Sequence, residues 1–99
     1  MNAADLAQSA QTDSDPPAEL SLALQSLWLA KAGRWDESHD LTDDIPGTAG
    51  SWIHAYLHRE EGDLGNAKYW YHRAGKEMPA ASVTLAEEWG QIASALSLS

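Results

Sequence analysis

The stretch from Trp52 to Pro79 constrains the fold more than any other. Ala67, Trp70, Tyr71, Ala74 and Met78 recur at three- and four-residue spacing, so they share one face of a helix. Before that helix stands Glu61-Gly62-Asp63-Leu64, a turn sequence, and Pro79 closes it. Ala67 and Ala74 carry only a methyl group, which lets a second helix approach closely. Tyr71, between them, fills the groove alongside. The stretch therefore reads as a helical hairpin. One helix starts at Thr48 or Gly50, with Ser51 as an alternative cap, and runs to about Glu61. The other runs from Leu64 or Gly65 to Glu77.

The rest of the chain fits around this hairpin. Residues 1–17 are small and polar, with Leu6 the one sizeable apolar side chain besides Met1, and they read as a flexible tail, with a short helix over Ala3–Gln11 as an alternative that Ala and Leu favour. Pro17 suits a helix start, and Ala18–Ala32 forms the next helix, with Leu20, Leu24 and Leu27 along one face. Gly33 ends it. Trp35–Asp43 is a shorter, acidic helix. Asp43 and Asp44 oppose the dipole at its C-terminal end, so it should fray or finish in a tight turn before Pro46-Gly47. A last helix, capped by Ser82 or Thr84, carries Leu85, Trp89, Ile92, Ala93 and Leu96 and frays into the final Ser-Leu-Ser. Glu87, three residues after Thr84, completes a capping-box pattern. No stretch alternates with period two, so the expected class is all-α.

Two segments repeat at an offset of 29 residues: Gly33, Trp35 and Ser38 correspond to Gly62, Leu64 and Ala67. A helix pair recurring at this scale is the mark of a helical repeat array. Ala67, Tyr71, Ala74 and Pro79, with Gly62-Asp63 at the inter-helix turn, resemble a tetratricopeptide-type repeat. The resemblance covers about 51–79 and, more loosely, 18–46, where Thr42 stands in place of the family's aromatic. It implies antiparallel hairpins stacked as two units, about 18–46 and 50–79, within a single domain 18–99, closed by a cap over 82–97. It also implies a non-catalytic module that binds a protein or peptide. The family's Trp, Leu-Gly and Tyr positions are here Ser51, His54-Ala55 and His58. The run His54-Ala55-Tyr56-Leu57-His58-Arg59, followed by Glu61-Gly62-Asp63 and Tyr69-Trp70-Tyr71, is also similar to a group of small proteins without assigned activity.

Composition excludes several alternatives. Fifteen acids against six bases give a net charge of -9, which disfavours nucleic acid and anionic membrane as partners. Cysteine is absent, so disulfides, thiolate nucleophiles and Cys-based zinc sites are ruled out. No apolar run approaches the ~20 residues that span a bilayer. With no signal-peptide pattern at the N-terminus, a cytoplasmic location is expected.

The histidines carry what chemistry there is. His54 and His58 are four residues apart and share a helix face, which Glu61 continues. In the repeat frame they point inward, where an unpartnered imidazole costs about 1–3 kcal/mol. Three readings follow. The rings are satisfied within the fold by Tyr71, Asp40 or Glu61. Or His54 and His58, with His39 and Asp40 or Glu61 supplying more, hold a divalent metal such as zinc, which takes three or four ligands. Or His58 with Glu61, or His39 with Asp36, moves protons. No activated nucleophile or phosphate loop accompanies them, so an enzyme is not expected, and no cofactor beyond that alternative metal. His72 should be exposed.

Trp52, Tyr56, Arg59 and Tyr69 are the residues expected to form a partner-facing patch, since Trp, Tyr and Arg are enriched at interface hot spots. Tyr71 and Trp70 belong to the core, with Tyr69 nearer solvent. Acids concentrate in residues 36–44 and bases in 59–76, a complementarity that suits a homodimer.

Overall fold

Each element begins and ends where the local chemistry dictates. A computed structural model describes residues 1–97. It contains α1 (Ala3–Thr12), α2 (Leu22–Lys31), α3 (Trp35–Thr42), α4 (Thr48–Glu60), α5 (Leu64–Ala74) and α6 (Leu85–Ser97), with no strand among the described residues. The protein is all-α. The fraying expected of the last residues falls partly on 98–99, outside the described residues.

The helical hairpin forms as expected. Glu61 caps α4, and Gly62 takes φ 85°, donating its N–H to the Arg59 carbonyl while Asp63 donates to that of His58. Such a left-handed residue is cheap only for glycine. The turn between α2 and α3 repeats this geometry. Gly33 has φ 80°, its N–H goes to Ala30, and that of Arg34 goes to Leu29. Ala67 and Tyr71 are buried against Ala55 of α4, and Ala74 is buried too. Ser38, the counterpart of Ala67, is fully buried and exchanges hydroxyl-to-carbonyl hydrogen bonds with Ser26 (2.6 and 2.9 Å).

The α2 start and the α5 end differ from the sequence reading, while α3 and α6 take alternatives it offered. Helix α2 starts four residues later, because Ser21 caps it (Leu24 N–H to Ser21 Oγ, 3.2 Å) while Pro17 and Leu20 close a turn. Helix α3 ends in a tight turn, with Asp44 N–H on the Leu41 carbonyl. Helix α5 stops at Ala74 because Gly75 turns left-handed at φ 69°. Helix α6 starts at Leu85, since Thr84 and Glu87 form the capping box (3.0 and 3.2 Å) in preference to Ser82.

The N-terminal segment requires a correction. Residues 3–12 are not a flexible tail but a helix packed on α2 and α6. Asn2 caps it, Leu6 and Ala10 are buried, and Ser9 Oγ accepts a hydrogen bond from the Trp28 indole (3.0 Å). One leucine among alanines suffices because α2 presents Trp28, which needs a cover and a polar partner.

The main core lies between α1, α2, α4 and α6 and contains Leu27, Trp28, Ile53, Leu57, Trp89 and Ile92. Its indoles are satisfied: Trp89 donates to the Leu27 carbonyl and the half-buried Trp35 to that of Leu57, both at 2.9 Å. A buried ionic knot ties α6 to the hairpin. Glu88 accepts from Arg59 Nη1 at 3.0 Å and from the Tyr71 hydroxyl at 2.5 Å, and Arg59 Nη2 donates to the Val83 carbonyl. No helix among the described residues is long and apolar enough to cross a membrane.

Candidate metal centre

The site is built where α3 crosses α4. His54 and His58 lie one turn apart on α4, and His39 reaches them from α3. Close approach depends on Gly50. A Cβ there would sit 2.8 Å from the Thr42 carbonyl oxygen and 2.9 Å from that of Ile45. The absence of a side chain lets the end of α3 rest directly on the first turn of α4. The Gly62 turn fixes the other end, by engaging the His58 carbonyl.

Ring nitrogens of His39, His54 and His58 all lie within 4.8 Å of one another. His39 Nε2 and His54 Nε2 are 2.8 Å apart, and the His39 and His54 rings meet nearly edge to face. His54 and His58 are both 7% exposed, and His39 is half-buried. Two indoles line the cluster. Trp70 stacks on His54 (centroids 3.9 Å apart) and Trp35 on His39 (4.9 Å).

The hydrogen bonds assign the tautomers. The His58 Nδ1–H donates to Glu61 Oε1 at 2.6 Å, since the carboxylate can only accept. In the neutral ring, Nε2 carries the lone pair. Thr42 Oγ1 spends its proton on the His39 carbonyl (2.6 Å), so at 3.4 Å it can only accept from His54 Nδ1–H. His54 Nε2 then carries a lone pair and accepts a hydrogen bond from His39 Nε2–H (2.8 Å). Burial, reinforced by His39 and His58 and opposed by Asp43, lowers the His54 pKa to about 4. It is neutral at pH 7.

A metal-binding histidine must be neutral, with its outer nitrogen hydrogen-bonded to fix the ring. His54 and His58 have their Nδ1 atoms engaged by Thr42 and Glu61. His39 must exchange tautomer, because its Nε2 proton faces His54. A tetrahedral ion with Zn–N bonds of about 2.0–2.1 Å sets its nitrogens about 3.3 Å apart. The His39–His54 pair must therefore open by roughly half an ångström.

The sequence brought together His39, His54, His58 and Glu61, and the structure does likewise, with Glu61 holding the outer nitrogen of His58. His39 turns to His54 rather than to Asp36. Tyr71 is committed to Glu88. Asp63 also approaches His58 and Glu61, but its side chain caps α5 through the Asn66 N–H (3.3 Å). His72 is exposed.

The patch of Trp52, Tyr56, Arg59 and Tyr69 does not assemble. Tyr56 is buried in the main core, and Arg59 is turned inward by Glu88. Tyr69 is exposed, and Trp52 is half-buried under Lys76. Sequence reasoning missed Thr42, Trp35 and Trp70 as site components. It marked Trp70 as apolar core, and the hydroxyl of Thr42 as a missing aromatic.

Comparisons with protein-family models, curated proteins and solved structures found no significant match.

Proposed function

We propose that this chain is a small helical metal-binding protein that holds one divalent transition-metal ion at His39, His54 and His58. The observation that carries the reading is the convergence of ring nitrogens of three histidines within 4.8 Å, with Thr42 and Glu61 bonded to Nδ1 of His54 and of His58. Imidazole donors suit zinc, copper, nickel and iron(II). Zinc is the default, because it accepts tetrahedral nitrogen sites without redox chemistry.

The decisive experiment is equilibrium dialysis of tag-free protein against zinc, followed by elemental analysis. One zinc per chain is expected. His39→Ala or His54→Ala abolishes it, and His72→Ala leaves it unchanged. A zinc content near zero in the folded wild type overturns the proposal.

The scaffold is best read as a degenerate tetratricopeptide-like pair. The support is the matching Gly33 and Gly62 turns and the buried Ser38 and Ala67 at corresponding places. A cytoplasmic setting fits a cysteine-free, acidic chain. Protein binding is a second reading, moved from the expected patch to the surface of the α4–α5 hairpin. There Arg73 lies over Tyr69 and Trp70, and Lys76 over Trp52. Such a cation–aromatic layer suits a partner rich in carboxylates, including the acidic α3 of a second copy. Sedimentation at increasing concentration, with Arg73→Glu as control, tests the homodimer.

A further inference from the structure

The geometry points to a metal ion that keeps one coordination position for a ligand from outside the chain. That ligand is a small monodentate Lewis base, either water, hydroxide or an anion of azide size. The inference rests on the three-histidine reading and adds to it the fourth position.

Three side chains supply the nitrogens, and the nearby groups that could add a fourth donor are held elsewhere. Glu61 is bonded to Nδ1 of His58 at 2.6 Å, on the edge of the ring away from Nε2. The same carboxylate cannot orient His58 from behind and also bind the ion in front. Thr42 stands behind His54 in the same way, its proton spent on the His39 carbonyl. Asp43 acts electrostatically on His54, yet it is exposed and falls outside the group of converging donors among the described residues. Asp63 approaches His58 and Glu61 but not His39 and His54 together.

Charge and access set the class of ligand. Three neutral imidazoles leave the full double charge on the ion, a site that attracts a lone pair or an anion. His39 is the half-buried member of the trio, so solvent reaches the ion along α3. Trp35 and Trp70, stacked on His39 and His54, flank the trio with flat apolar rings. Flanking rings of this size favour a small ligand, and the chain's net charge of -9 disfavours a large polyanion. Three protein ligands plus an exchangeable one is the arrangement of reactive zinc sites, whereas closed structural sites use four protein ligands.

The test replaces zinc by cobalt(II), whose visible bands report coordination. Cobalt-loaded wild type is titrated with sodium azide. The expected result is a saturable, one-to-one shift of the bands, equally present in Asp43→Asn. If the cobalt bands ignore azide in the wild type, this inference fails while the metal site stands. If they respond only in Glu61→Gln or Asp43→Asn, that carboxylate is the fourth ligand and the inference again fails. If no cobalt bands appear, the three-histidine site itself is refuted.

Discussion

The indole of Trp70 lies flat on the imidazole of His54, ring centroids 3.9 Å apart and planes 10° from parallel. One ring comes from α5 and the other from α4, so the hairpin itself delivers an aromatic wall to the histidine cluster. An ion at the ring nitrogens would lie within a few ångströms of this indole. Nickel(II), with its open shell, should therefore quench tryptophan emission. Trp70→Phe should remove more of the quench than Trp89→Phe, because Trp89 is buried in the main core with its N–H on Leu27. Equal quenching in both variants would place the ion elsewhere.

Acid should weaken the metal-free fold. His54 is depressed to about 4, chiefly by burial and then by His39 and His58, against an ordinary value of 6.5. The unfolded chain therefore binds more protons between these limits, and stability rises with pH across them. The contribution is intact above about 6.5 and is lost as pH falls toward about 4, a change of roughly 2–3 kcal/mol. Denaturant unfolding of chelator-treated protein across this window checks it. His54→Gln should flatten the dependence.

Glu88 holds α6 and the hairpin together, so its variants should rank predictably. Glu88→Ala leaves the Arg59 guanidinium buried without its partner and should cost about 3–5 kcal/mol. Tyr71→Phe removes one hydrogen bond to a charged acceptor and should cost about 1.5–3 kcal/mol. Burial, and then Glu88, raise the Tyr71 hydroxyl well above the usual phenol range. A raised folded value means stability is complete below about pH 10 and is lost as pH rises beyond it. Unfolding curves of both variants at neutral pH, and of Tyr71→Phe at alkaline pH, test the ranking.

Gly50 sets the distance between α3 and α4. Gly50→Ala should drive the Thr42 and Ile45 carbonyls away and cost about 1–3 kcal/mol, although alanine is the better helix former. It should also weaken zinc binding, which Gly90→Ala should not do. A Cβ at Gly90, in α6, meets nothing within 4 Å. Zinc titrations of the two variants compare them directly.

Much of the scaffold was legible because it depends on local signals. The spacing of Ala67, Tyr71 and Ala74 announced a close helix pair, and the Gly33 and Gly62 turns announced where the chain reverses. His54 and His58 were readable as a pair because a helix places residues four apart on one face. His39 could be added as a candidate, but its distance depends on how α3 meets α4. That in turn depends on Gly50, a residue that reads as an ordinary helix-start glycine. The helix over residues 3–11 was legible as an option from its Ala and Leu content, but its docking was not, because that depends on Trp28, far along the chain. Glu88 gave no signal, since an acid in the first turn of a helix is ordinary until its buried partners are known.

The most direct test is X-ray absorption at the zinc edge on zinc-loaded protein. The account expects a first shell of three imidazole nitrogens at about 2.0–2.1 Å, with one further light-atom ligand. The zinc-edge signal should be lost from dialysed His39→Ala protein. A shell of oxygens without imidazole scattering would mean that zinc sits among surface carboxylates, and the three histidines would then be a hydrogen-bonded packing feature of the hairpin.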